Sequence, residues 1–132
     1  MSDMLQKTRA FRFPATRPFS ERFVADVIAA VVAESAKHNV TYEELLGASL
    51  RHPATRARAV IFTILAAFTL ADYWEVGATL KRTNRDVSNL VRRLRDGGGL
   101  HHGLLRRSCV RADLKPEIAY KWFEQTLVGE MY

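Results

Sequence analysis

Residues 59–70, AVIFTILAAFTL, form a run without a single charged side chain. The run is shorter than the roughly 20 apolar residues that span a membrane, and it has the length of a helix in a protein core. Elsewhere apolar residues recur at spacings of three and four, which is typical of helices with one buried face, and no segment alternates as a strand does. The sequence therefore predicts an all-α fold, a small helical bundle around one strongly apolar helix.

The composition is that of one globular domain in a reducing compartment. The chain has 132 residues, of which 48% are hydrophobic, and this share excludes wholesale disorder. A single cysteine, Cys109, excludes an intramolecular disulfide framework. The first ten residues, MSDMLQKTRA, lack the apolar stretch of a secretory signal. We therefore expect a cytoplasmic protein without a membrane partner.

Residues that break or cap helices divide the chain into three segments. Residues 1–19 are interpreted as an N-terminal arm, because Pro14 and Pro18 interrupt any helix there. Residues 20–96 hold the predicted bundle. Residues 97–132 hold a glycine-rich turn, a basic segment that is loop or short helix, and a C-terminal helix over 116–131. The arm and the last helix are the natural places for contact in a homodimer.

Within the bundle, capping residues predict where the helices start. Ser20 should cap a helix that fades near residues 38–39. Thr41 should form a capping box with Glu44, at the start of a short helix that stops at the following glycine. Pro53 suits the first turn of a third helix. That helix should reach residue 68 or 70 and bury an apolar stripe along one side.

Two closely spaced helices are predicted next. The first covers roughly residues 70–80, and the second begins with T-N-R-D, a capping box over residues 83–86, and ends before the three glycines at 97–99. A short helix, a tight polar connection and a capped helix with an arginine-rich outer face outline a helix-turn-helix. The core candidates of the first helix are Tyr73, Trp74 and Val76.

Positive charge is concentrated in two blocks of the sequence. The whole chain carries a net +6, but residues 51–60 carry +3 and residues 81–111 carry +7, while the remainder is net negative. An arginine-rich helix is often only a solvated face. Two basic blocks around an apolar helix instead favour a surface for a polyanion, and nucleic acid is the first partner to consider.

Three stretches carry a family resemblance. They are VTYEELLG at residues 40–47, RHPATRARAV at 51–60 and KRTNRDVSNLVRRL at 81–94. Over about half of the chain, from Val31 to about Leu94, their order resembles the C-terminal DNA-binding domain of the bacterial replication initiator DnaA. The family's patterns there are V-x-x-x-D-L-L-G/S, R-x-x-x-V-A-x-A/P-R-Q and G-R-D-H-S/T-T-V-x-x-A-x-x-K-I. The resemblance implies a Trp-repressor-like helix-turn-helix.

The resemblance also implies roles for individual residues. Arg82 takes the place of the family's motif arginine, and Arg58 that of its phosphate-contacting arginine. Arg51 lies one position from the loop arginine that enters the minor groove, and Leu50 aligns with it. The places that contact base edges in the major groove are taken by Thr83, Asn84 and Arg85.

Two features of the family are missing from this chain. The Asp-His pair of the third stretch is absent, and no G-x-x-x-x-G-K-S/T occurs. The second absence means that the initiator's ATPase activity is not expected here. We therefore predict a stand-alone DNA-binding protein, not an enzyme, that needs no cofactor.

The side chains themselves suit a DNA site. Arginine pairs bidentately with guanine and asparagine with adenine, while basic groups on the flanks hold phosphates. Residues predicted for phosphate or minor-groove contact are Arg51, Arg56, Arg58, Lys81 and Arg82. Residues predicted for the start and outer face of the recognition helix are Thr83, Asn84, Arg85, Ser88, Asn89 and Arg92.

The main hypothesis is a sequence-specific binder of double-stranded DNA, associated with the nucleoid, that regulates transcription or replication. One alternative is a protein-protein interaction module whose basic surface is incidental. Others are a non-specific nucleic-acid binder, an RNA binder or a small enzyme. A metal site at His101 and His102 with Cys109 is not expected, because neighbouring histidines seldom bind one ion and no C-x-x-C or H-x-x-x-H spacing occurs.

Overall fold

The computed structural model describes residues 16–97 and 99–130, without the side chains of residues 99–101 and 126–130. All regular structure in these residues is helical, which confirms the predicted all-α class. Residues 1–15, most of the predicted arm, lie outside the described part. The elements, in chain order, are α1 (Glu21–Glu34), a 3-10 turn (Ala36–His38), α2 (Tyr42–Leu46), α3 (His52–Phe68), α4 (Tyr73–Ala78), α5 (Asn84–Asp96), α6 (Gly99–Arg111) and α7 (Pro116–Glu130).

Helix α3 is the centre of the bundle. Every side chain from Ala57 to Phe68 is buried, and α3 packs against each of the other six α-helices. The sequence predicted that this helix buries one apolar stripe, whereas the structure buries it on all sides over these residues. Residues Ala57, Ala59, Ala66 and Ala67 let the neighbours approach closely, while Phe62 and Phe68 fill the larger spaces.

Two of the three predicted caps have the expected geometry. Ser20 Oγ accepts a hydrogen bond from the Phe23 amide at 3.1 Å. Thr83 Oγ1 accepts from the Asp86 amide at 3.1 Å, and the Asp86 carboxylate accepts from the Thr83 amide at 3.2 Å, which completes the capping box.

Only one of the two hydrogen bonds of the capping box predicted at Thr41 is present. Thr41 Oγ1 accepts from the Glu44 amide at 3.2 Å, as expected. The Glu44 carboxylate does not return to the Thr41 amide but accepts from Ser49 Oγ at 2.8 Å and from the Arg51 guanidinium. A charge-assisted bond to arginine outcompetes a bond to a neutral amide.

The helix predicted over residues 70–80 is shorter in the structure. It begins at Tyr73, because Asp72 caps it by accepting from the Glu75 amide at 2.9 Å while Glu75 reaches back to the Asp72 amide at 3.1 Å. In this register Val76 and Gly77 are buried, whereas Trp74 is 67% exposed. The assignment of Trp74 to the core is thus corrected.

Helices α6 and α7 complete the same core. Leu105 and Cys109 of α6 are fully buried, as is Ala119 of α7. The basic segment left open as loop or short helix is helical. Burial raises the pKa of the Cys109 thiol to about 12, so this cysteine is a packed, protonated side chain. In the described residues no helix is long and apolar enough to cross a membrane, and no three His, Cys, Asp or Glu side chains converge on a metal position.

Candidate nucleic-acid interface

Helices α4 and α5 are joined by a tight turn at residues 79–83. The Arg82 amide donates to the Gly77 carbonyl at 2.9 Å, which folds the turn back on α4. Lys81 has φ 58°, in the left-handed region that favours glycine. A Cβ on Gly77 would lie 2.6 Å from the Arg82 carbonyl oxygen, so only glycine fits where the turn crosses α4. The start of α5 is held in one position relative to α4.

The outer face of α5 is polar and basic. Arg85, Asn89 and Arg92 are all exposed, at a spacing that puts them on one side of the helix. Val87, Val91 and Leu94 are buried on the opposite side. Arg93 is exposed next to Arg92 and extends this face. Four polar side chains with hydrogen-bonding capacity therefore project from one helix face.

The other predicted residues of α5 lie on its flanks. Asn84 and Ser88 are half-buried at the same edge of the helix. Thr83 is exposed, but its hydroxyl accepts the capping bond from the Asp86 amide. The capping bond uses Thr83 Oγ1 as an acceptor, so its hydroxyl proton is still available to bind a base or a phosphate.

Arg82 ties the turn before α5 to the loop after α2. Its guanidinium donates to the Gly47 carbonyl, and more weakly to the carbonyls of Leu46 and Leu80 at 3.5 and 3.4 Å. The loop of residues 47–51 contains Leu50 and Arg51, which the resemblance places at the minor groove, and the start of α5 contains the residues that it places at base edges. Arg82 is half-buried between them and holds them together.

Arg58 is buried, and its predicted role as a phosphate contact is corrected. The residue is 2% exposed. Its Nε donates to the Leu45 carbonyl at 3.0 Å and one Nη to the Ser49 carbonyl at 2.6 Å. The other Nη donates to the carbonyls of Glu44 at 2.7 Å and Gly47 at 3.3 Å. Arg58 closes the C-terminal end of α2 and fixes the following loop, where the helix leaves its carbonyls unpaired.

Arg51 lies at the end of the same loop and is partly engaged. Its Nε and one Nη form a bidentate pair with the Glu44 carboxylate at 2.6 and 2.7 Å. The same Nη donates to the His38 carbonyl at 3.0 Å. Leu50, immediately before it, is 83% exposed. The Arg51 side chain is about half exposed, so its outer edge can still face a ligand.

The Glu44–Arg51 pair predicts a pH-dependent stability. The hydrogen bond from Arg51 lowers the pKa of Glu44 from an ordinary 4.5 to about 2. A carboxyl group with a depressed folded-state pKa stabilises the protein above its unfolded pKa and stops doing so as the pH falls through the folded value. The stability gap between the wild type and Glu44→Gln should therefore shrink between pH 4.5 and 2. Urea unfolding across this range measures it.

Arg51→Gln is the matched variant for this test. It removes the largest cause of the shift but leaves the carboxyl group and its hydrogen bond from Ser49, so NMR titration should show a Glu44 pKa that rises towards its ordinary value without reaching it. A Glu44 pKa unchanged from the wild type in Arg51→Gln would show that Arg51 is not the main cause of the shift.

Arg56 does not join the residues around Arg58 and Arg82. Residues two positions apart on a helix, such as Arg56 and Arg58, point in almost opposite directions. Arg56 is half-buried in the first turns of α3 and lines a cavity against α1, the 3-10 turn and α6. Lys81 is exposed in the turn before α5. The structure thus brings together the loop of 47–51, Lys81, Arg82 and the outer face of α5, and separates Arg56 from them.

No reading of sequence spacing could have found the roles of Arg58 and Arg82, because their partners are carbonyls of a separate loop.

Comparison of the chain with models of known protein families, with curated proteins and with solved structures found no match to any of them.

Proposed function

We propose that the protein binds double-stranded DNA in a sequence-specific manner, with α4 and α5 acting as a helix-turn-helix and α5 entering the major groove. The observation that carries the proposal is the outer face of α5, where exposed Arg85, Asn89 and Arg92 follow one another along a capped and braced helix. Arg85 and Asn89 are of the two types that read guanine and adenine edges, and Arg92 further along the same face would contact a phosphate. A helix of 13 residues is long enough to present them along the groove.

The loop of residues 47–51 supports the same proposal. Arg82 fixes this loop beside the start of α5, so both would approach one stretch of duplex. Lys81 is exposed at the junction. Its left-handed φ occurs where the DnaA motif carries glycine, which agrees with the resemblance. The protein would act as a regulator of transcription or replication without ATPase activity.

Selection from random duplex DNA tests the proposal. Enrichment of one motif is the expected result. Recovery of duplex without sequence preference would contradict sequence-specific reading and favour a non-specific nucleic-acid binder, and no recovery would contradict DNA binding altogether. An interaction module is the second candidate: Trp74 and Leu70 are 67% and 56% exposed, and a contiguous patch of such side chains would mark a contact site.

Single substitutions on α5 should separate base reading from phosphate contact. Arg85→Ala should cost about 1–3 kcal/mol against the selected site and less against other duplexes, because a bidentate arginine discriminates between bases. Arg92→Gln should weaken binding to all duplexes alike and lower the slope of log K against log salt by about one. Fluorescence anisotropy with labelled duplexes over a salt series measures both effects.

Lys121→Gln is the control for loss of charge alone, because Lys121 is exposed on α7 and outside the proposed interface. It should leave affinity and salt slope nearly unchanged. Equal losses in Arg85→Ala, Arg92→Gln and Lys121→Gln would show that α5 is not the reading helix. A homodimer stays a prediction, and light scattering on the purified chain measures it.

A further inference from the structure

A cavity of about 320 Å³ lies on the side of α3 that carries Arg56. Four elements form its walls: the end of α1, the 3-10 turn, the first turns of α3, and α6. Its polar lining residues are Glu34, Ser35, Lys37, His38, Arg56 and Arg107. The residues come from separate parts of the chain and meet only in the folded protein. The proposed DNA-reading face of α5 contributes nothing to this cavity.

Two polar atoms of the lining are buried without a partner. Ser35 Oγ and Arg56 Nε have no hydrogen bond in the described structure. The whole Ser35 residue is only 3% exposed. Buried polar groups are nearly always hydrogen-bonded, because an unpaired one loses its contact with water and receives nothing in exchange. Both atoms carry a hydrogen that can be donated, but neither is in contact with the open space of the cavity, so an acceptor there would pair with them only after the side chains shift.

The charges around the cavity favour an anion. Lys37, Arg56 and Arg107 face one acidic residue, Glu34. That carboxylate is already engaged, since it accepts from Arg107 Nε at 3.2 Å and from Arg111 Nε at 2.6 Å. The hydrogen bond from Arg111 also lowers the pKa of Glu34 and keeps it charged. Lys37 and Arg56 are thus the cations whose charge the lining leaves uncompensated.

We propose that this cavity binds a small molecule that carries a phosphate group. A phosphate presents several acceptor oxygens at once, and the Arg56 guanidinium and the Lys37 ammonium can bind them from different sides. Pro53 and Leu104 supply an apolar wall for the organic part of the ligand. The volume lies at the lower end of the range for small-molecule sites, which suits a compact phosphorylated metabolite.

A phosphate of the DNA backbone fits this cavity less well. The donors without partners are Ser35 Oγ and Arg56 Nε, and both are buried. A duplex is a wide, convex rod, so its backbone reaches exposed groups such as Lys37 and Arg107 before it reaches the floor of a cavity. A small ligand can enter the cavity and contact Lys37 and Arg56 together. This inference does not rest on DNA binding by α5 and can succeed or fail independently of it.

An NMR titration of the full-length, ¹⁵N-labelled chain tests the proposal. The probes are inorganic phosphate, adenosine 5′-monophosphate, and adenosine as the ligand without phosphate. We expect saturable shifts of the amides of residues 35–38 and 54–56 with the first two probes and none with adenosine. Arg56→Gln should weaken binding of adenosine 5′-monophosphate about tenfold or more, the effect of losing a charge-assisted hydrogen bond.

Two further variants show whether a loss of binding comes from the cavity itself, and not from misfolding or from the loss of net charge. Lys37→Gln changes an exposed side chain, so it should also weaken binding while the circular dichroism spectrum stays that of the wild type. Arg106→Gln removes the same charge from an exposed position on α6 outside the lining, and it should bind as the wild type does. An equal loss in Arg106→Gln would overturn the proposal, because the probe would then respond only to net charge.

The remaining outcomes separate the sources of phosphate. If neither phosphate probe shifts these amides, or if shifts spread evenly over exposed arginines, the cavity is not a phosphate site. If only duplex DNA shifts them, and Arg56→Gln reduces the salt slope of duplex binding by about one, the phosphate belongs to DNA and the small-molecule proposal is overturned.

Discussion

Replacement of Arg58 with alanine should lower the free energy of unfolding by about 3–5 kcal/mol, the range for removal of a buried charged partner. Four backbone carbonyls between Glu44 and Ser49 accept hydrogen bonds from this guanidinium. Without it they are left in a site where the arginine was 2% exposed. Each unpaired carbonyl loses the bond and regains little from water. Urea unfolding followed by circular dichroism measures the loss.

Two variants show whether the fork geometry of Arg58 matters. Arg58→Lys keeps the charge but has a single ammonium in place of a planar fork, so it should recover only a small part of the stability. Arg92→Ala removes an exposed arginine and should stay within about 0.5 kcal/mol of the wild type. If Arg58→Ala were as stable as Arg92→Ala and only weakened DNA binding, the phosphate role predicted from the sequence would be right after all.

The correction of Arg58 shows where sequence reasoning about this chain succeeds and fails. The sequence predicted the caps at Ser20 and Thr83 because a cap joins residues three positions apart. It predicted the central helix because a run of apolar residues needs no partner to be recognised. The partners of Arg58 depend on how the loop after α2 folds onto α3, and no spacing rule encodes that.

The prediction that Trp74 belongs to the core was wrong for a different reason. Tyr73 and Val76 are three positions apart and share one face of α4, whereas Trp74 lies beside that face and is exposed. The box formed by Asp72 and Glu75 follows the same local rule as the one at Thr83, so it could have been recognised.

The sequence assigned residues to the candidate site but could not say which of them face outward. Helix period put Asn84 and Ser88 on the outer face with Arg85, whereas the structure has those two half-buried and has Asn89 and Arg92 exposed on the side of Arg85. Charge and helix period could not distinguish the arginines that brace the site from those that face outward. Arg58 and Arg82 hold the loop of residues 47–51 through backbone carbonyls, so two of the basic residues position the surface that the others present.

The most sensitive point of this surface is Gly77. Gly77→Ala should lower the free energy of unfolding by about 2–3 kcal/mol, the cost of forcing an extra methyl group into a packed contact. The added Cβ would lie 2.6 Å from the Arg82 carbonyl oxygen, 3.0 Å from that of Thr83 and 3.1 Å from Val87 Cγ2. Two of these atoms are backbone, so the turn itself must move. This shift would displace the start of α5 and the Arg82 bridge to Gly47.

Gly103→Ala is the matched control, because Gly103 lies within α6 and its added Cβ would meet only the flexible end of Arg107, at 3.2 Å. In a helix, alanine is favoured over glycine by up to about 1 kcal/mol, so this variant should be as stable as the wild type or more so. The two substitutions add the same methyl group to a helix, and only the contact at the turn distinguishes them.

Thermal unfolding of both variants measures their stability, and fluorescence anisotropy with the selected duplex measures their binding. Gly77→Ala should lose affinity even at temperatures where it is folded, since α5 would no longer meet the loop of residues 47–51 in the same register. A Gly77→Ala protein that matched Gly103→Ala in both measurements would mean that α4 and the turn do not constrain α5, and the braced reading helix proposed here would have to be abandoned.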